Sequence, residues 1–280
     1  MSPDASAEVD FSRLPEPILA DHEDWENLYE FAWQLAAHHI RTSRGRAHMD
    51  AAWDPGRNYQ WVWDTAFMTL FCRYGAGEFP GIQSFDNFYE LQRDDGYISM
   101  TYDLDSGEEP WPDRINPPLF AWGEWEYYRT TGDDSRIECV LPHIEKLMEW
   151  IDRNRRTAPH HRRRRSKDIG TDEADFQLYW FTDAGSSGMD DAPRSPRVEG
   201  AGRHFDWIDL SSQMALSFRL LGKMNGLLGN DDRRAEWMRR ADELGDLINA
   251  ELWCERTRFY HDRTLPRNFV ASKTAAGFWP

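Results

Sequence analysis

Cysteine is scarce: Cys72, Cys139 and Cys254 are the only three in 280 residues, far apart and odd in number. That spacing builds neither a zinc site nor a disulfide framework, and it fits a reducing compartment. Long apolar runs are missing as well. Nowhere do 18 consecutive apolar residues occur, so no segment is written to span a bilayer. The polar, acidic N-terminus lacks the apolar stretch of an export signal, and the expected location is the cytoplasm. Positive charge is in deficit, 33 basic against 49 acidic side chains for a formal net charge of −16, which repels a phosphate backbone. The one basic run, His160 to Arg165, has no interleaved aromatics and reads as a solvated insertion in a loop. Nucleic acid and membrane are therefore not expected partners. No His/Asp/Glu group has metal-ligand spacing, so neither a metal nor another cofactor is expected.

Strand signals are few too. Only Gly96–Tyr102 and Arg258–His261 alternate well enough to suggest small strands. Helical spacing dominates instead: Ile137, Val140, Leu141, Ile144, Leu147, Met148 and Ile151 form one apolar stripe over about 135–156. Trp25, Leu28, Ala32 and Leu35 repeat the pattern, as do Met214 through Leu228 and Trp237 through Ile248. Asp231 and Asp232 after Gly229 give a stop and a fresh cap, so the last two segments form an antiparallel hairpin. Shorter helices are expected at 63–74, 82–92 and 117–131, and the beginning of another near Val270. Such a chain is all-α, a toroid of helical hairpins. A ring of six hairpins needs twelve helices and roughly 400 residues or more at ordinary helix lengths, so the ring is expected to be incomplete here. Residues 1–20 read as an N-terminal extension and 21–280 as part of the barrel.

What is abundant is aromatic: 14 Trp, 10 Tyr and 15 Phe. That load exceeds what a helical core requires and suggests stacking on a flat ligand such as a sugar. The connections 93–117 and 157–206 are long enough to carry function. In the second, Asp183-Ala-Gly-Ser-Ser-Gly-Met-Asp-Asp-Ala-Pro-Arg194 sets Asp190 in a small-residue loop whose glycines permit close approach of a substrate. Asp and Gly also serve ordinary turns, and that reading stands beside the catalytic one. Trp61-Val-Trp-Asp64 opens a helix, so Asp64 is either a cap or an acceptor for sugar hydroxyls between two indoles facing different ways. Asn116-Pro-Pro-Leu-Phe-Ala-Trp122 puts an amide before another helix start, and Gln92 with Gly96 is a weaker polar candidate.

Taken as an ordered set, these segments resemble glycoside hydrolase family 63 and the related family 37 trehalases. The set is Trp-x-Trp-Asp before a helix, Asn-Pro-Pro-Leu-x-Ala-Trp, the Gly-Met-Asp-Asp loop ending in Pro-Arg, and the later hairpin running into Leu252-Trp253 and Phe259-Tyr-His-Asp262. The resemblance runs from about residue 22 to the last residue. It implies an (α/α)6 barrel that hydrolyses α-glucosidic or α-mannosidic bonds with inversion, acting on a small carbohydrate. Asp190 then corresponds to the general acid, with Trp61, Trp63, Asp64 and Asn116 lining the sugar subsite and Gln92 and Arg194 completing the binding set. Asn116 stands where Gln is commoner, and Asp191 where Asn is usual, adding negative charge beside the acid. The base of these relatives is a Glu that nothing up to Pro280 matches, and Glu199 is a poor substitute. Two other readings remain: a non-catalytic sugar-binding protein, or an epimerase or lyase on the same toroid using His204, Tyr179 and Arg203.

Overall fold

The computed structural model describes residues 9–18, 22–49, 57–156, 178–194, 205–264 and 268–280. Through them run seven α-helices: α1 (Glu23–His38), α2 (Val62–Cys72), α3 (Ser84–Glu90), α4 (Phe120–Thr131), α5 (Asp134–Arg155), α6 (Ile208–Leu227) and α7 (Asp231–Leu252). They alternate between two layers. In the inner layer α4 lies between α2 and α6, while α3, α5 and α7 each return along the outside of the inner helix before or after them. This is the paired-helix architecture of an (α/α)6 barrel, and it explains the burial pattern of each helix. Inner α6 is buried on nearly every side, from Ile208 and Leu210 to Leu221 and Met224. Outer α5 and α7 bury one stripe each.

The α5 stripe predicted from spacing is buried throughout, with Ile137, Val140, Leu141, Ile144, Leu147, Met148 and Ile151 all inside. Each such side chain contributes about 1.5–3 kcal/mol relative to exposure, so this stripe fixes the outer layer. The turn into it is written locally. Gly132 ends α4 at φ +73°, and the Asp133 side chain accepts the Arg136 N–H at 3.3 Å to cap α5. On α7 the cap position is Asn230, and Asp231, expected to cap, is the first helical residue. Gly229, at φ +75°, and Asn230 together make the turn, which moves both aspartates into the first turn, where they still complement the helix dipole.

Two expectations fail. The Trp25, Leu28 and Leu35 stripe of α1 is exposed; the helix attaches instead by Trp33, which meets Phe79 at 4.9 Å and Phe71 edge-on at 6.0 Å. Near Val270 no α-helix begins, and only a 3-10 turn, Ala275–Phe278, follows. Residues 9–18 of the proposed extension lie against the barrel: Asp10 N–H donates to Glu78 at 3.1 Å and Tyr29 O–H to the Pro15 carbonyl at 2.5 Å. The basic run at 160–165, Glu199, Arg203 and His204 lie outside the described residues. All three thiols are unpaired. Among the described residues no helix is long and apolar enough to cross a membrane.

The strands are short ribbons: β1 (Ile40–Ser43) with β2 (Arg46–Met49), β3 (Tyr59–Trp61) with β4 (Thr101–Asp103), β5 (Phe205–Asp206) with β8 (Arg263–Thr264), and β6 (Trp253–Cys254) with β7 (Phe259–Tyr260). The 96–102 and 258–261 expectations shrink to β4 and β7. Two pairings matter for function. The β3–β4 ribbon draws the 93–117 connection to the entry of α2, and β5–β8 brings Asp262 to the entry of α6.

Candidate functional site

The site residues gather at one place in the architecture, the N-terminal ends of the inner helices. Such ends carry unpaired N–H groups and the positive pole of the helix, and polar ligands are drawn to them. Trp63 and Asp64 occupy the first turn of α2, Asn116 precedes α4, and the Asp183–Arg194 loop leads toward α6.

The loop is set by its own hydrogen bonds. Asp183, buried, accepts the Ser186 backbone N–H and hydroxyl, each at 3.0 Å, and pairs with Arg114 at 3.1 Å. The Ser187 hydroxyl donates to the Ala184 carbonyl at 2.7 Å and accepts the Met189 N–H at 3.2 Å. At Gly188 the backbone takes φ +71° and lies directly on the Trp63 indole: a Cβ there would fall 2.6 Å from the ring. Glycine is therefore required twice over, for conformation and for contact. Asp190, two residues on, is exposed, and its charge is felt by Asp64.

Asp64 is partly buried, and its carboxyl is raised above the usual range. Burial is the main cause, its own backbone N–H opposes, and the Asp190 charge adds to the rise. The two carboxylates thus share one neighbourhood in unlike settings, one wet and one partly dry.

The two tryptophans do face different ways. Trp63 meets Phe67 edge-on at 4.7 Å and Trp279 at 6.5 Å, whereas Trp61 stacks obliquely on Trp111 at 5.1 Å, with Tyr59 edge-on to Trp111 at 5.9 Å. Trp111 was not singled out from the sequence. The length of the 93–117 connection was the available signal, because ribbon pairing at long range decides which of its residues arrives here.

Three of the expected binding residues are already engaged within the protein. Asn116 is buried; its carbonyl oxygen accepts the Trp63 N–H at 3.4 Å and its amide donates to the Ser186 carbonyl at 3.0 Å. It clamps the 183–194 loop to α2, so the site holds it as a brace. Gln92 donates to the carbonyls of Gly96 and His143, both at 2.9 Å, and its oxygen meets His143 Nδ1 at 2.7 Å, away from Asp190 in a structural bridge to α5. Arg194 is 4% exposed, with its guanidinium between Asp209 and Asp262. A cation so enclosed is engaged within the protein. Tyr179 is likewise buried, donating to Asp152 at 2.5 Å. Among the described residues no group of three His, Cys, Asp or Glu side chains could hold a metal ion.

Known proteins share this fold. An uncharacterized protein of Borreliella burgdorferi is 28% identical over 219 residues, 76% of this chain and 40% of that protein, so the chain spans about two fifths of that relative. The GH63 mannosylglycerate hydrolase from Thermus thermophilus, solved with glucose, superposes with a TM-score of 0.63 at 19% identity, covering 90% of this chain and 70% of its own. The same enzyme with Tris and D-glycerate gives 0.63 at 18%, covering 90% of this chain and 72% of that one. Neutral trehalase Nth1 from Saccharomyces cerevisiae gives 0.50 at 15%, over 95% of this chain and 58% of that one. These likenesses show the (α/α)6 fold. The model of the mannosylglycerate hydrolase MGH1-like glycoside hydrolase domain matches residues 57–280, and the chain belongs to that family.

Proposed function

We propose that this chain carries the acid side of an inverting α-glycosidase acting on a small α-glucoside or α-mannoside. Asp190 gives its proton to the glycosidic oxygen as the bond from that oxygen to the anomeric carbon breaks. As that bond breaks, water adds to the opposite face of the anomeric carbon, its proton taken by a second carboxylate. No carboxylate among the described residues is assigned that second role. Trp61 and Trp63 wall the sugar, and Asp64 accepts its hydroxyls.

One observation carries this reading. The loop that bears Asp190 sits on the Trp63 ring, and the Asp190 charge reaches the partly buried Asp64. A surface turn serving only chain reversal has no need of that contact. The glucose and D-glycerate bound by the Thermus thermophilus enzyme support a small sugar or sugar acid conjugate as the class of ligand. The cytoplasm is proposed as its location from the composition alone.

The test is Asp190→Asn, assayed on aryl α-glucosides and aryl α-mannosides. Loss of an essential acid is expected to lower turnover by about 10²–10⁴-fold. Sugar binding, read by tryptophan fluorescence, should persist. Undiminished turnover overturns the assignment, and wild-type binding without any release favours a non-catalytic sugar-binding role.

A further inference from the structure

Arg194 closes the acid loop, and its surroundings are unusual for a residue four positions from a wet carboxylate. Its Nη2 donates to Asp209 Oδ1 at 2.6 Å, its Nε lies 3.3 Å from Asp262 Oδ2, and its guanidinium stacks on Trp207 at 4.4 Å from the ring centre. Every one of these partners is buried. A buried cation is costly unless it is paired, so the fold holds this one for a reason.

The two aspartates are themselves tied to the start of α6. Asp209 lies in the first turn, and its Oδ1 also accepts the Leu210 N–H at 2.9 Å. Asp262, reached through the β5–β8 ribbon, accepts the Ile208 N–H at 2.9 Å and so caps the helix from a distant segment. Trp207 is anchored by its N–H to the Tyr179 carbonyl at 2.9 Å. The end of the loop is thereby joined to an inner helix, an outer ribbon and the strand entering α6. Its beginning is joined to α2 and Arg114 through Asn116 and Asp183.

We propose that Arg194, Asp209 and Asp262 form the positioning unit of the acid loop, a latch that fixes where Asp190 stands relative to Trp63 and Asp64. Its catalytic consequence rests on the glycosidase reading; the latch itself does not. Arginine suits the task because its planar group donates to Asp209 and faces Asp262 at ion-pair distance while its face stacks on the indole, which lysine cannot reproduce. Two carboxylates compete for the one guanidinium. Burial pushes the Asp262 carboxyl up to about 6, Arg194 pulls against that rise, and Asp209 adds to it. Arg194, Asp209 and Asp262 touch no sugar in this scheme. They are positioning residues.

Hydrogen exchange of the chain separates the latch from the chemistry. In Asp209→Asn, backbone amides of 185–192 should exchange about tenfold faster or more, while those of α5 and α7 keep their protection. Arg194→Lys, which keeps the charge and loses the fork, should show the same loop effect in smaller measure. In the glycoside-hydrolysing protein both variants should lower kcat with KM changed by less than about threefold, since binding residues are untouched. Loop amides as protected in both variants as in the wild type overturn the proposal. Should Asp209→Asn release α5 and α7 as well, Arg194→Lys decides alone. Exchange needs no turnover, so a responsive loop in a protein that hydrolyses no glycoside retains the latch and sinks the glycosidase reading.

Discussion

Helices α1 and α5 carry the same kind of apolar spacing and meet opposite fates. On α5 every member of the stripe is inside, whereas on α1 Trp25, Leu28, Phe31 and Leu35 stand 50–65% exposed. The α5 stripe has inner helices α4 and α6 to cover it. The α1 stripe has no such cover among the described residues, and Phe71 of α2 is partly open beside Trp33. Periodicity thus reports that a helix forms and which face is apolar. What covers that face is a property of the neighbours, which no local window contains.

Truncation measures the contrast most strongly. Leu147→Ala on α5 should cost about 2–5 kcal/mol in urea unfolding, from lost burial and a residual cavity. The matching change on α1, Leu28→Ala, should stay within about 0.5 kcal/mol, because a side chain left in water has little to lose. Equal costs for the two would erase the distinction drawn here.

A second difference between the regions concerns acid. His48, in the β1–β2 ribbon that follows α1, is buried, and that burial, opposed by a backbone bond to Arg46, lowers its imidazole to about 4. The native chain then holds a neutral ring while the unfolded chain takes up a proton near 6.5. Stability contributed by the neutral ring is present above about pH 6.5 and is lost as pH falls toward about 4, by about 3 kcal/mol in all. His48→Gln should flatten that part of the stability curve; an unchanged acid slope would contradict it.

The helices were largely legible because their signals are local: apolar stripes, and Gly229 as a stop. The Asp183–Arg194 loop and the Trp-x-Trp-Asp entry were legible as motifs, and the structure does bring them together. What local reading could not supply was the internal engagement of polar side chains. Asn116, Gln92 and Arg194 looked like ligand residues because amides and guanidinium groups bind sugars, yet each is engaged by a partner far off in sequence. Trp111 and Asp209 were overlooked for the same reason, and Asp262 was read only as part of a motif, since ribbon pairing and helix packing at long range place them.

The nearness of Asp190 to Asp64 underlies the whole functional account, and titrating Asp64 by carbon-detected NMR in the wild type and in Asp190→Asn tests it most directly. Removing the neighbouring charge should bring the Asp64 carboxyl down toward the ordinary range while burial keeps it somewhat raised. An Asp64 titration identical in the two proteins would mean that the acid loop does not stand where the account needs it.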